Sequence, residues 1–434
     1  MRAHPATRDG DTVRRSLISL AVLNFFLADA RDGLGPFLDA FLATRGWSSV
    51  ALGAIATTGG LIGLVVTPLF GALVDGSRRK RALVAGPVVV VTAVALLTLI
   101  APTGPIVWVG QVGTAVVGAV IGPAMMGLTL GLVGERVFGR QVARNEFWNH
   151  VGNVASLTAV FVLVSLYGDR AIIGLMLVTA AGAVLAAFCV SASDIDHDTA
   201  RGLAGPDGDG DGDGDGDGGG GGGGERPSGL RTLVTTPGLV VLALVLLMFH
   251  FGNAPMSRLI AQDFAIELDT PFRTTAIITG VAQVSMIAAA VAAPAAIRRF
   301  GLSTVLLIGL CALPVRGLIA GTVPGFWTIF PVQMLDGVGA GLVGIVTPVA
   351  VERLLAGTGR FNVGFAAVMT VQGVGASLSN VIAGAVVSAR GYHASHLLSG
   401  LIAVTAIALF LRYRRFIVRP DHESLDGVTA VPGR

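Results

Sequence analysis

The chain has 434 residues, of which 53% are hydrophobic and only 13% charged, and its mean hydropathy is +0.76. A soluble domain carries roughly 25% charged residues, so a water-soluble globule is excluded, and runs of roughly 20 nearly uncharged residues point to membrane-spanning helices. The net charge of +3 comes from cations that sit mostly between those runs, which is topogenic placement and implies no nucleic-acid partner.

Twelve spans are predicted in chain order, near 16–42, 50–74, 82–101, 105–133, 146–167, 170–190, 236–263, 273–297, 302–322, 325–350, 362–388 and 395–412. The segments do not alternate between apolar and polar residues, as a β-barrel would require. The expected fold is therefore an all-α polytopic membrane protein. Its expected parts are a cytoplasmic tail (1–15), a six-helix bundle (16–190), a flexible Asp/Gly-rich linker (191–235), a second six-helix bundle (236–412) and a cytoplasmic tail (413–434).

Arg14 and Arg15 before an apolar run, with Ala28-Asp29-Ala30 beyond it, imitate a cleaved export signal. Eleven further spans favour an uncleaved first helix with a basic cytoplasmic flank. With the amino terminus inside, cytoplasmic segments hold 23 of the 30 Lys and Arg residues, four fall outside and three lie within spans. That imbalance predicts both termini on the cytoplasmic side of the cell membrane.

The first span carries the densest polar set, Asp29, Arg31 and Asp32, just before Gly33-Leu-Gly35-Pro36. Charges at bilayer depth cost several kcal/mol and mark a pathway or site by default. Asp29 and Asp32 share one helical face and Arg31 points elsewhere. Two close carboxylates in a low-dielectric setting resist ionising together, which suits one of them to exchange protons. The bland alternative is a structural Asp–Arg pair. The glycines and proline predict a break in the helix.

Between spans two and three, Gly71-Ala-Leu-Val-Asp75-Gly-Ser-Arg78-Arg79-Lys80-Arg81 packs four consecutive cations and a carboxylate into a tight hairpin. Span four contributes Gln111. Glu135 and Arg136 follow it at a cytoplasmic helix end. Span five carries Asn149, Asn153 and Ser156 as a polar stripe beside His150, and such stripes face protein or water, never lipid.

The linker holds an Asp-Gly alternation from Asp207 to Asp217 and then seven glycines. Asp213, Asp215 and Asp217 imitate the start of an EF-hand loop. Glu225 arrives one residue late for the closing acid and no amphipathic helices flank it, so a solvated tether is expected.

In the second half, His250 and Asn253 precede Pro255, a further predicted break. Arg316 in span nine needs an acid or carbonyl partner, with Asp336 and Asp32 as the candidates. Gln333 and Asp336 share one face of span ten, and span eleven adds Gln372 and Asn380. Each polar set has a packing alternative, interhelical hydrogen bonds. Cys189 and Cys311 both fall in apolar spans and read as small buried hydrophobes.

The halves echo each other. Gln111 and Thr114 correspond to Gln333 and Asp336, Glu135-Arg136 to Glu352-Arg353, and Asn145 to Asn362. Corresponding pairs in one order indicate an internal repeat, hence two pseudo-symmetric bundles. Six plus six spans, a long central loop and the basic hairpin together resemble the major facilitator superfamily over residues 16–412. Its hairpin signature, G-x-L-x-D-R-x-G-R-K, is matched by Gly71, Leu73, Asp75, Arg79 and Lys80; Gly76 and Arg78 depart from it.

That resemblance implies a secondary transporter working by alternating access, with the hairpin, joined by Glu135 and Arg136, as a gating latch. Two marks of the superfamily's drug antiporters are missing here: an arginine in span four, where Gln111 stands, and a glycine–proline motif in span five. The expected function is proton-coupled export of a small molecule, with Asp29 or Asp32 exchanging the proton and a monomer in the lipid bilayer as the working form. The alternatives are an importer or facilitator of a polar or anionic nutrient, which Arg31 and Arg316 would meet, and a receptor or scaffold that transports nothing. No catalytic motif, metal-ligand spacing or phosphate-cradling loop is present, so neither an enzyme, a cofactor nor a metal is expected.

Overall fold

The structure, a computed structural model, describes residues 10–31, 33–197, 199–201, 229–355 and 360–417. Asp32 and the Asp-Gly alternation lie outside these residues. The described chain is helical, with no strand among the described residues. Its helices are α1 (Gly10–Ala30), α2 (Phe37–Thr44), α3 (Ser49–Gly76), α4 (Lys80–Ile100), α5 (Gly104–Gly118), α6 (Ile121–Val133), α7 (Glu135–Tyr167), α8 (Ala171–Cys189), α9 (Gly229–Thr235), α10 (Pro237–Leu268), α11 (Pro271–Phe300), α12 (Leu302–Thr322), α13 (Ile329–Leu355), α14 (Phe361–Arg390) and α15 (Tyr392–Ile417).

Eleven stretches among the described residues are long and apolar enough to cross a membrane, α5 and α6 counting as one. The remaining predicted span, 16–42, is α1 and α2 with the expected break between them at Arg31 to Pro36. The break predicted at Pro255 is absent: α10 continues helical through it. A proline inside a membrane helix is tolerated when neighbouring helices satisfy the carbonyl it frees.

The chain divides into two compact units, one of residues 1–223 with 261–280 and one of 224–260 with 281–434. In the first, α1 packs between α7 and α8. Gly152 makes this possible, since a Cβ there would run into the Phe25 carbonyl oxygen. One turn further along both helices come Asp29 and Ser156, while Asn149, one turn before Gly152, reaches the backbone carbonyl of Asn24, the residue next to Phe25. The close approach therefore fixes which polar side chains meet. In the second unit α12 packs between α13 and α15. Gly317 does the same service there, its absent Cβ leaving room for the Gly400 backbone and the His396 carbonyl.

The predicted tether is shorter at both ends than 191–235. Ser16 Oγ donates to the buried Asp194 carboxylate at 2.6 Å and accepts from the Ser191 N–H at 3.1 Å. Ile195 and Ala200 are buried, and the Asp196 N–H bonds to the Gly131 carbonyl at 2.9 Å, so this stretch lies on α6. On the other side α9 packs on α14 with Thr232 and Leu233 buried. Residues 202–228 lie outside the described residues.

The segment 261–280 belongs to the first unit through specific contacts. Phe272 stacks on Phe41 with centroids 5.7 Å apart and meets Phe37 at 6.1 Å, while Ser49 Oγ donates to Gln262 Oε1 at 2.8 Å. Arg45 lies 4.9 Å over the Phe41 ring. Asp169, in the turn between α7 and α8, is held above the usual carboxylate range chiefly by desolvation; Arg45 pulls it down and Asp269 pushes it up.

A raised folded-state value means that the folded protein binds the extra proton first. Stability from this group is therefore complete at acid pH and is lost as pH rises through the folded value. Asp169→Asn removes that loss. Because the residue is exposed, the gain at neutral pH is expected to stay below about 1 kcal/mol. Melting curves of both proteins across the pH range should converge at acid pH and separate, with the variant higher, at neutral pH.

Candidate functional site

Arg316 is wholly buried on α12, and its guanidinium organises the second unit's polar set. Nη1 donates to Asp336 Oδ1 at 2.7 Å and to Asn253 Oδ1 at 2.8 Å. Nη2 donates to Gln333 Oε1 at 2.9 Å and to Ser257 Oγ at 2.5 Å. Ser257 in turn donates to the other Asp336 oxygen at 3.0 Å. Four acceptors from α10 and α13 thus surround one cation from α12. The pair is charge-neutral and hydrogen-bonded, the condition on which a buried ion pair is tolerated.

In the first unit Asp29 meets no cation among the described residues. Its carboxylate accepts from Ser156 Oγ at 2.6 Å and from Thr179 Oγ1 at 2.8 Å, hydroxyls of α7 and α8. Neither the predicted Asp–Arg pair nor a shared site with Asp32 is described. Arg31 turns the other way and lines a cavity of about 90 Å³ together with Asn24, Thr129, Asn145, Glu146 and Asn149; Met125 and Met126 form an apolar wall. A relay of side chains stiffens one side of it: Gln141 Nε2 donates to Asn145 Oδ1 at 2.9 Å, and Asn145 Nδ2 donates to Thr129 Oγ1 at 3.0 Å. Asn149 Nδ2 reaches the Asn24 carbonyl at 3.4 Å.

Residues 17–397 match the family described as the MFS_1 like family. The chain belongs to that family. A Mycobacterium tuberculosis protein described as an uncharacterized MFS-type transporter, recorded for strains CDC 1551 / Oshkosh and H37Rv, is 33% identical over 397 residues, covering 91% of each chain. Among solved structures, a mutant of the nucleoside transporter NupG superposes with a TM-score of 0.70 at 13% identity, over 92% of this chain and 99% of that one. A bacterial homologue of the human lysosomal transporter Spinster, inward-facing and unoccupied, gives 0.68 at 13% identity, over 94% and 98%. At such identities the last two establish the fold alone, the all-helical membrane fold of these transporters. The protein is thus a multi-pass membrane transporter and not an enzyme.

In this MFS transporter the hairpin cations have distinct roles. Lys80 is fully buried, and its Nζ donates to the carbonyls of Val74 at 2.9 Å and Ser77 at 3.3 Å, capping the end of α3. Arg81 Nη1 donates to the Val190 carbonyl at 2.8 Å, beyond the end of α8. Cations at helix carboxyl ends satisfy orphan carbonyls and oppose the helix dipole, so these two hold the first unit's own helices together. Arg78 and Arg79 are exposed. Gly71 and Asp75 fall in α3, and Glu135 and Arg136 in α7; the side chains of these positions lie outside the described residues.

Several other predicted residues sit apart from both polar sets. Gln111, Asn153 and Gln372 are half-buried on α5, α7 and α14, and His150 is exposed. Asn380 donates back to the Ala376 carbonyl of its own helix at 2.9 Å. His250 bonds the Leu246 carbonyl through Nδ1 at 3.0 Å and stands edge-on to Phe249, 5.1 Å between centroids. That is the packing arrangement of a lone histidine. Cys189 and Cys311 are exposed, contrary to expectation; in a spanning helix, apolar side chains face lipid as readily as the interior.

Sequence reading missed Thr179, Ser257, Glu146 and the relay through Asn145 and Thr129. Ser257 was the most accessible of these, four residues after Asn253 on one face of α10. Thr179 carried no signal, because an isolated threonine in an apolar helix usually bonds its own backbone.

Proposed function

We propose that this transporter is a proton-coupled exporter of a small polar molecule, working as a monomer in the cytoplasmic membrane by alternating access, with both termini inside. The observation that carries the coupling is the pair of hydroxyls on Asp29. A hydroxyl donates to a carboxylate and, after rotating, accepts from a carboxylic acid. Asp29 can therefore take up and release a proton without stranding a cation. Asp336 cannot, since protonating it would leave the buried Arg316 guanidinium unneutralised. Asp29 is accordingly assigned the proton, and the Arg316 network is assigned a positioning role among α10, α12 and α13. Asp32, the other predicted carboxylate, lies outside the described residues.

Arg316 is committed to four protein acceptors, which removes one of the two arginines that an anionic nutrient would need. The placement of 23 cations on one side against four on the other supports the orientation.

Inside-out vesicles loaded with protein, given a solute identified by thermal-shift screening, test direction and coupling together. An acidic lumen should drive that solute into the lumen against its gradient. Accumulation only when the acid side is reversed would identify an importer, and flux indifferent to the gradient would identify a facilitator.

A further inference from the structure

We infer that His396 on α15 is a further positioning residue, joined to the Arg316 Nε–H through one buried water molecule, an inference that rests on the positioning role assigned to the Arg316 network. The network then clamps α15 as well as α10, α12 and α13.

An arginine side chain carries five N–H donors. Four of them are spent, Nη1 on Asp336 and Asn253 and Nη2 on Gln333 and Ser257. The fifth, on Nε, is buried and has no hydrogen-bond partner among the described residues. An unmet buried donor on a charged group is costly and calls for a partner. His396 Nδ1 is in the same condition: the residue is 2% exposed, and the atom has no partner among the described residues.

The two side chains belong to helices that pack together. At the crossing of α12 and α15, Gly317, the neighbour of Arg316, comes so near that a Cβ on it would crowd the His396 carbonyl oxygen. The Arg316 charge also acts on the His396 ring. The second unit's other unpartnered buried oxygens, on Thr232, Gln283 and Asn380, sit on α9, α11 and α14, whereas α12 packs chiefly on α13 and α15.

Neither nitrogen bonds the other directly, and buried waters settle where they serve polar groups that are otherwise unmet. A water between them accepts from Arg316 Nε–H and donates to His396 Nδ1, which is nearly as good as a direct bond. Acceptance at Nδ1 places the ring proton on Nε2 and keeps the ring neutral. A ring protonated on both nitrogens would set a second cation beside Arg316 and offer it no acceptor.

Melting curves of the purified full-length protein give the first test. His396→Leu is made in the wild type and in an Arg316→Met/Asp336→Leu background. In the wild type it strands the Nε–H donor, and the melting temperature should fall by several degrees. In the other background that donor is gone, so the same change should cost nothing or raise the melting temperature. His396→Asn should keep most of the wild-type stability, because asparagine carries its oxygen on Cγ, where histidine carries Nδ1. Equal losses from His396→Leu in both backgrounds would overturn the inference.

The second test needs no destabilised protein. Nuclear magnetic resonance of ring-¹⁵N-labelled histidine, with His396 assigned by its loss in His396→Asn, reads the tautomer in the wild type. Nδ1 should be unprotonated and hydrogen-bonded, and the bonded signature should vanish in Arg316→Met/Asp336→Leu. A protonated Nδ1, or a signal unchanged when Arg316 is replaced, would overturn the inference. If Arg316→Met destabilises while His396→Leu does not, this inference alone fails; if Arg316→Met is harmless, the network's positioning role fails first.

Discussion

Arg316→Met is expected to destabilise the second unit by about 3–5 kcal/mol, the range for removing one partner of a buried ion pair. The methionine fills most of the volume, but the change leaves Asp336, Gln333, Asn253 and Ser257 without the donor they all share. Among the described residues, the Asp336 carboxylate then keeps Ser257 as its hydrogen-bond partner. The double variant Arg316→Met/Asp336→Leu removes the stranded charge as well, and buried pairs replaced by apolar groups of similar size are often neutral or better. Melting temperatures should therefore fall in the order wild type, double variant, single variant, with the double close to wild type. A single variant as stable as the wild type would mean that the network contributes nothing to folding.

The second large effect is functional. Asp29→Asn keeps the shape: its amide oxygen accepts from one of the two hydroxyls and its NH2 donates to the other, which rotates to accept, so the protein should fold and exchange substrate in counterflow. It has no proton to exchange, and accumulation driven by a pH gradient should disappear. Ser156→Ala removes one of the two hydroxyls and should weaken coupling without abolishing it, because Thr179 remains. The split between retained counterflow and lost accumulation separates a coupling residue from a structural one. A merely structural role would lower both together.

The runs of apolar residues are a local property and laid out the spans directly, and Gly33, Gly35 and Pro36 marked the break before Phe37. Polar residues at bilayer depth were equally visible as types. What they touch was not, because contacts between helices depend on which faces meet. Arg316 illustrates this: its need for an acid was evident, but Asp336 and Asp32 were equal candidates until α12 and α13 were seen side by side. Asp29 was read only against its helical neighbours, the ones in view. Gly152, more than a hundred residues away, brings α7 close enough for Ser156 to reach it. Pro255 was misjudged for a related reason, since only surrounding helices decide whether a proline's free carbonyl ends a helix or is absorbed.

Accessibility of cysteines placed at Asn149 and Gln372, one in each unit, tests the alternating-access account most directly. With Cys189 and Cys311 replaced by alanine, a charged membrane-impermeant thiol reagent is applied to proteoliposomes from either face. Val162→Cys serves as a control, since Val162 is an exposed apolar residue within the spanning part of α7. The account predicts that both substituted amides react from each face in turn and are shielded by bound ligand, while the control stays inert. Unreactive cysteines at both amide positions from both faces, in protein that still melts like the wild type, would contradict it.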